Sequence, residues 1–230
     1  MKKVKGLLFD FNGTLFFDSD IQLEAFKRCY YRDGLTPPDD DYIVKNIFGR
    51  PNVEIYKKYF FADATDKQIE DFIAFKESTY ISLCLEQADR LHLCEGAEEM
   101  LDYLKENNIP VCIATGSERV NVEFYLKHLR IGKWFTLDNI VYTDGSFKGK
   151  PAPDIYRLAA ARIGLDATEC AVFEDGSSGL RSANAADAAV TVAIYEDKLP
   201  SPITDDIHTD IICHSLKDWK QMLADFGLLR

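Results

Sequence analysis

The chain has 230 residues, enough for a large core in one or two domains. Its 47% hydrophobic and 28% charged content is ordinary for a soluble globular protein. A formal net charge of −11 argues against nucleic acid or an anionic membrane as partner, since both call for a basic face; a small phosphorylated ligand is compatible.

Val4 to Phe9 is a short apolar run closing on Asp10 and a polar loop. That predicts a strand buried on both faces of a parallel sheet, where ligands collect beyond the carboxyl ends. Ile21, Ala25, Phe26 and Cys29 recur at helical spacing behind a cap at Asp18 or Ser19. A turn over 34–41 precedes further helical stretches at 41–48, 52–61 and 66–84. No strand alternation interrupts them, which predicts an all-helical insert of about 70 residues.

The α/β pattern resumes at 91–96. A helix is expected over 97–107, then a buried strand over 110–114 ending in Thr115-Gly116-Ser117, and a helix over 119–129. A short strand at 139–142 and a helix at 153–163 follow. Another buried strand at 169–173 closes on Glu174-Asp175, then a helix at 179–186 and a strand at 188–194. The last strand is expected at 210–213, with Ser215 capping the terminal helix. Strands alternating with helices predict a doubly wound parallel sheet covered on both faces. The six cysteines (Cys29, Cys84, Cys94, Cys112, Cys170, Cys213) lack Cys-x-x-Cys spacing and read as small buried hydrophobes. The apolar run after Met1-Lys2-Lys3 stops too early for a secretory leader, and no stretch suits a membrane span. A reduced cytoplasm is the expected location.

The polar signals fall at strand ends, which share one edge of a parallel sheet. Asp10 and Asn12 follow the first strand, Thr115 and Ser117 the second, and Glu174 and Asp175 the fourth; Lys150 precedes the helix near Pro153. Three carboxylates in one place repel unless a cation sits among them, and hard oxygen ligands suit Mg²⁺. Thr115, Ser117 and the backbone N–H groups of a helix start suit a phosphate. Lys150 supplies a compact positive charge. Phosphoryl transfer to a carboxylate draws on this inventory.

Phe9-Asp10-Phe11-Asn12-Gly13-Thr14-Leu15 resembles the first motif of the haloacid dehalogenase superfamily, in particular β-phosphoglucomutase-like phosphatases with a helical cap. Ile113 to Ser117, Lys148 to Asp154 and Val172 to Leu180 resemble its second, third and fourth motifs. The resemblance implies a Rossmann-like core (1–16 and 91–230) and a cap (17–90). It implies Asp10 as nucleophile forming an aspartyl-phosphate, with Thr115, Gly116, Ser117 and Lys150 holding the phosphoryl group. Asp10, the Asn12 carbonyl and Asp175 would bind Mg²⁺, with Glu174 assisting. In the cap, Arg50 and Lys76 fall where the family places residues facing the substrate. The substrate implied is a small phosphorylated metabolite.

The chain departs from that pattern at Asn12, where the family carries an aspartate as general acid and base. An amide cannot transfer a proton in that way, and such catalysis is typically worth about 10²–10⁴-fold. Two further readings stay open: a catalytically attenuated protein that binds phosphorylated ligands, and a phosphoglucomutase-type phosphotransferase. The cap histidine of such mutases is replaced by Gln22, which weighs against the second.

Overall fold

The protein is described here by a computed structural model covering residues 3–196 and 201–229. Among the described residues six parallel strands run in the order β3-β2-β1-β4-β5-β6. They are β1 (Gly6–Phe9), β2 (Val111–Glu118), β3 (Ile140–Thr143), β4 (Cys170–Glu174), β5 (Val190–Ile194) and β6 (Ile211–Cys213). The doubly wound sheet expected from the sequence is therefore what forms. β1 is central, and Leu7, Leu8 and Phe9 are all fully buried, as a strand covered on both faces demands. The chain order reverses at β1, with β2 on one side and β4 on the other, which opens a crevice at their carboxyl ends.

Alternate side chains divide the core. Leu7 and Phe9 join Ile113 and Phe173 beneath α5 (Ala97–Glu106), α6 (Arg119–His128) and α9 (Trp219–Asp225). Leu8 joins Cys112, Ala114 and Val172 on the opposite face, beneath α7 (Asp154–Arg162) and α8 (Ser177–Ala185). Between β1 and α5 lie α1 (Ser19–Arg32), α2 (Asp40–Asn46), α3 (Asn52–Tyr59) and α4 (Asp66–Glu86). They enclose a separate core of Phe26, Cys29, Tyr30, Ile43, Ile47, Ile55, Tyr56, Ile69 and Phe72. α4 belongs to both bodies, because Tyr80, Leu83 and Cys84 near its end pack with the main core. The helical insert is thus anchored by the far end of its longest helix.

Three local expectations differ. Thr115-Gly116-Ser117 is not a free loop: β2 continues through it with a register shift between Ala114 and Glu118. The terminal helix starts at Trp219 with Asp218 at its N-cap position, so Ser215 lies too far upstream to cap it. Asp18 occupies the N-cap position of α1 but makes no capping bond, since its carboxylate is drawn into the site described below. The cysteines are free and buried, Cys213 partly so. Among the described residues no helix is long and apolar enough to cross a membrane.

Candidate active site

Asp10 leaves β1 at the crevice and is buried, as is Lys150 in the loop before α7. The Lys150 ammonium bonds Asp10 Oδ1 at 2.7 Å and also pairs with Glu174. Glu174 is occupied on both sides. One oxygen takes Lys150 and the Tyr156 hydroxyl, while the other accepts the backbone N–H groups of Asp175 and Gly176. These bonds let it anchor Lys150. A Cβ at Gly179 would lie 1.8 Å from Glu174 Oε1, so only glycine lets the first turn of α8 approach so closely.

Burial pushes the Asp10 carboxyl up to about 7, against the pull of Lys150 and with the help of Glu174. Burial, Glu174 and Asp10 push Asp175 well above the usual carboxylate range. Burial also opposes the charge on Lys150, but Asp10 and Glu174 outweigh it and hold the ammonium upward. Asp10, Glu174 and Asp175 each present an oxygen, all within 4.8 Å of one another. With all three ionised against one lysine the site would carry an excess of two negative charges, which a divalent cation would balance. The backbone makes room for this: a Cβ on Gly13 would sit 2.0 Å from Asp175 Oδ2, and Gly13 has φ +72°. A hard cation such as Mg²⁺ fits this all-oxygen donor set.

Asn12 is held from every side. Its Nδ2 donates to Asp18 Oδ2 at 2.6 Å and lies 2.9 Å from the Tyr125 hydroxyl and 3.1 Å from that of Tyr80. Its Oδ1 accepts from Ser117 Oγ at 2.7 Å and from Tyr125 at 3.1 Å. The Asp18 carboxylate fixes this orientation, because it accepts also from Tyr80, Gln22 and the Gly13 N–H. Burial pushes the Asp18 carboxyl up, while those donors pull it down. Three of those donors share Oδ2 and the Gly13 N–H takes Oδ1. From sequence Asp18 reads only as a helix cap, and Tyr80 and Tyr125 carry no signal; the signal available for Asp18 was a second carboxylate ahead of the helix that follows the first strand.

Thr115 is buried beside Ser117, whose N–H it accepts at 3.1 Å. Gly116, between them, lines the cavity with Asp10, Lys150 and Asp175. The cavity measures about 90 Å³ and is roofed by the helical insert, with Phe26, Phe48 and Ile55 as apolar walls. Both cap residues expected from sequence line it. Lys76 is buried and bonded to Glu77; Arg50 is bonded to Glu54 and to the Asn46 carbonyl. Gln22 also lines the cavity.

The sequence matches the family of haloacid dehalogenase-like hydrolases over residues 4–187. The chain belongs to that family. A crystal structure of a family IA, variant 3 hydrolase from Entamoeba histolytica superposes with a TM-score of 0.84 at 32% identity, covering 97% of this chain and 99% of that one. β-Phosphoglucomutase from Clostridium difficile shares the fold at TM-score 0.80 and 18% identity, over 97% of each chain. Fructose-1-phosphate phosphatase from Escherichia coli is 29% identical over 80% of this chain and 94% of its own. This haloacid dehalogenase-like hydrolase thus keeps the family's core while carrying an amide at position 12.

Proposed function

We propose that the protein is a Mg²⁺-dependent phosphatase acting on a phosphate ester of a small metabolite through a phosphorylated Asp10. The observation that carries this reading is the Lys150 ammonium fixed on Asp10 Oδ1 at the floor of a cavity that Thr115, Ser117 and Asp175 also line. Asp10 and Asp175, with the Asn12 carbonyl beside them, would hold the ion, which when bound offsets charge on the carboxylates and the phosphate.

A carboxylate oxygen of Asp10 attacks phosphorus, and the bond to the leaving oxygen breaks. Lys150 favours the ionised form of Asp10 against the effect of burial, holds it in place, and shares the charge of the phosphoryl oxygens. Thr115, Gly116 and Ser117 cradle those oxygens at the bulged end of β2. The leaving alkoxide takes a proton from solvent water, and a second water then attacks the phosphorus of the aspartyl-phosphate, loses its proton to solvent, and returns Asp10 with release of phosphate. Neither proton can come from or go to Asn12, whose amide is committed to Asp18, Ser117 and Tyr125. The first step is therefore slowed for poor leaving groups and the second for every substrate, which makes the aspartyl-phosphate long-lived. The closed amide network also favours the second reading, a protein that binds phosphorylated ligands with little turnover.

The test is phosphate release with Mg²⁺ from p-nitrophenyl phosphate, acetyl phosphate and sugar phosphates, with acid-quench trapping of phosphoprotein. Release and trapping that both vanish in Asp10→Ala support the phosphatase. Turnover surviving Asp10→Ala would remove Asp10 as nucleophile. Binding without release or trapping would favour the attenuated protein.

A further inference from the structure

The cap end of the cavity carries a charge pattern that bears on the substrate. Lys76 and Glu77 both line it, both are buried, and Lys76 Nζ lies 3.1 and 3.2 Å from the two carboxylate oxygens. Glu77 cannot swing aside. Asn52 of α3 donates to one of its oxygens at 2.8 Å, and Asn121 of α6 to the other at 2.6 Å. The same Asn52 amide reaches Glu118 at 3.2 Å, which brings another carboxylate near this end. The buried lysine is therefore neutralised by a carboxylate fastened to both the cap and the core.

Arg50, the other cation of the roof, is engaged by Glu54 at 2.6 Å. Among the described residues lining the cavity, the cations are Arg50, Lys76 and Lys150, and each is already paired with a carboxylate. A second phosphate or a carboxylate on the substrate that reached Lys76 would meet an ammonium already neutralised by Glu77, whose oxygens lie 3.1 and 3.2 Å away. Removing water from two like charges in such a place is costly. A hydroxyl group meets no such barrier. It can accept from Lys76, whose ammonium has three hydrogens, and the apolar walls formed by Phe26 and Ile55 suit the C–H face of a sugar.

We propose that Glu77 sets the selectivity of the leaving-group half of the cavity by excluding a second anionic group, so that a monophosphate with an uncharged leaving group is preferred over a bisphosphate. The proposal rests on the phosphatase reading above and names the residue that sets its selectivity.

The test compares fructose 1-phosphate with fructose 1,6-bisphosphate, with Mg²⁺, by kcat/KM and by calorimetric Kd on the Asp10→Asn protein. The monophosphate should be preferred by about tenfold or more, the scale of one charge-assisted interaction. Glu77→Gln frees Lys76 and should shrink that preference by roughly tenfold, even if loosening of the cap lowers both activities. Lys76→Gln/Glu77→Gln loosens the same contacts without freeing a cation, and should restore the preference. A wild type that takes the bisphosphate equally well, or a preference unmoved by Glu77→Gln, overturns the proposal. Absence of phosphate release from every substrate sinks the phosphatase reading instead, and the Kd ratios then still decide the selectivity.

Discussion

Replacing Asn12 with aspartate puts a carboxylate oxygen where an amide nitrogen now lies 2.6 Å from Asp18 Oδ2. Two unit charges at that 2.6 Å distance repel by about 6 kcal/mol at an effective dielectric of about 20. At about 1.4 kcal/mol per pKa unit, the second proton leaves the pair roughly four units above the first. The pair therefore keeps one proton through neutral pH. Asn12→Asp regains an acid for the leaving group but not a free base for the water. Phosphorylation of Asp10 should accelerate by up to about 10²–10⁴-fold while its hydrolysis lags. Rapid acid quench with fructose 1-phosphate and Mg²⁺ should show a burst of phosphoprotein larger than in the wild type. Asn12→Asp/Asp18→Ser removes the competing carboxylate, and should abolish the burst and raise the steady-state rate further. A single variant that gains the whole rate without a burst, with Asp18→Ser adding nothing, would refute the reasoning.

Other outcomes follow from the same geometry. The Asp10 carboxyl sits at about 7, above its ordinary 3.8. In metal-free protein this favours folding at low pH and is lost as pH rises through about 7. Melting temperature without metal should fall across that range, Mg²⁺ should offset the fall, and calorimetry below pH 7 should record proton release on Mg²⁺ binding. Gly13→Ala forces a Cβ to within 2.0 Å of Asp175 Oδ2 at φ +72°. It should cost at least about 1–2 kcal/mol in denaturant unfolding and weaken Mg²⁺ in titrations. Tyr156→Phe takes a buried hydroxyl from Glu174. Stability should drop by about 1–3 kcal/mol, while the Lys150–Asp10 contact keeps kcat within about tenfold of wild type in steady-state assays.

The cores of the strands and the strand-end residues were legible because a buried parallel strand is a short apolar run closed by a polar residue. Asp10, Thr115 and Glu174-Asp175 each mark such an end, and one edge of the sheet gathers them. The bulged path through Thr115-Gly116-Ser117 was not legible, since it depends on pairing with β3. Asp18 read as a helix cap, which its position permits and its side chain declines.

Sequence by itself determined the layered α/β fold, the helical insert and the residue types at the crevice, because these depend on local hydrophobic period and on strand-end placement. It also showed that position 12 carries an amide. Tertiary structure decided what that amide does. Asp18, Tyr80, Ser117 and Tyr125 reach it from 6, 68, 105 and 113 positions away and fix which way it faces. The charge of the cap was decided in the same way. Neighbours on a helix point about 100° apart, yet burial turns Lys76 and Glu77 toward one cavity, and Asn52 and Asn121 hold the carboxylate there.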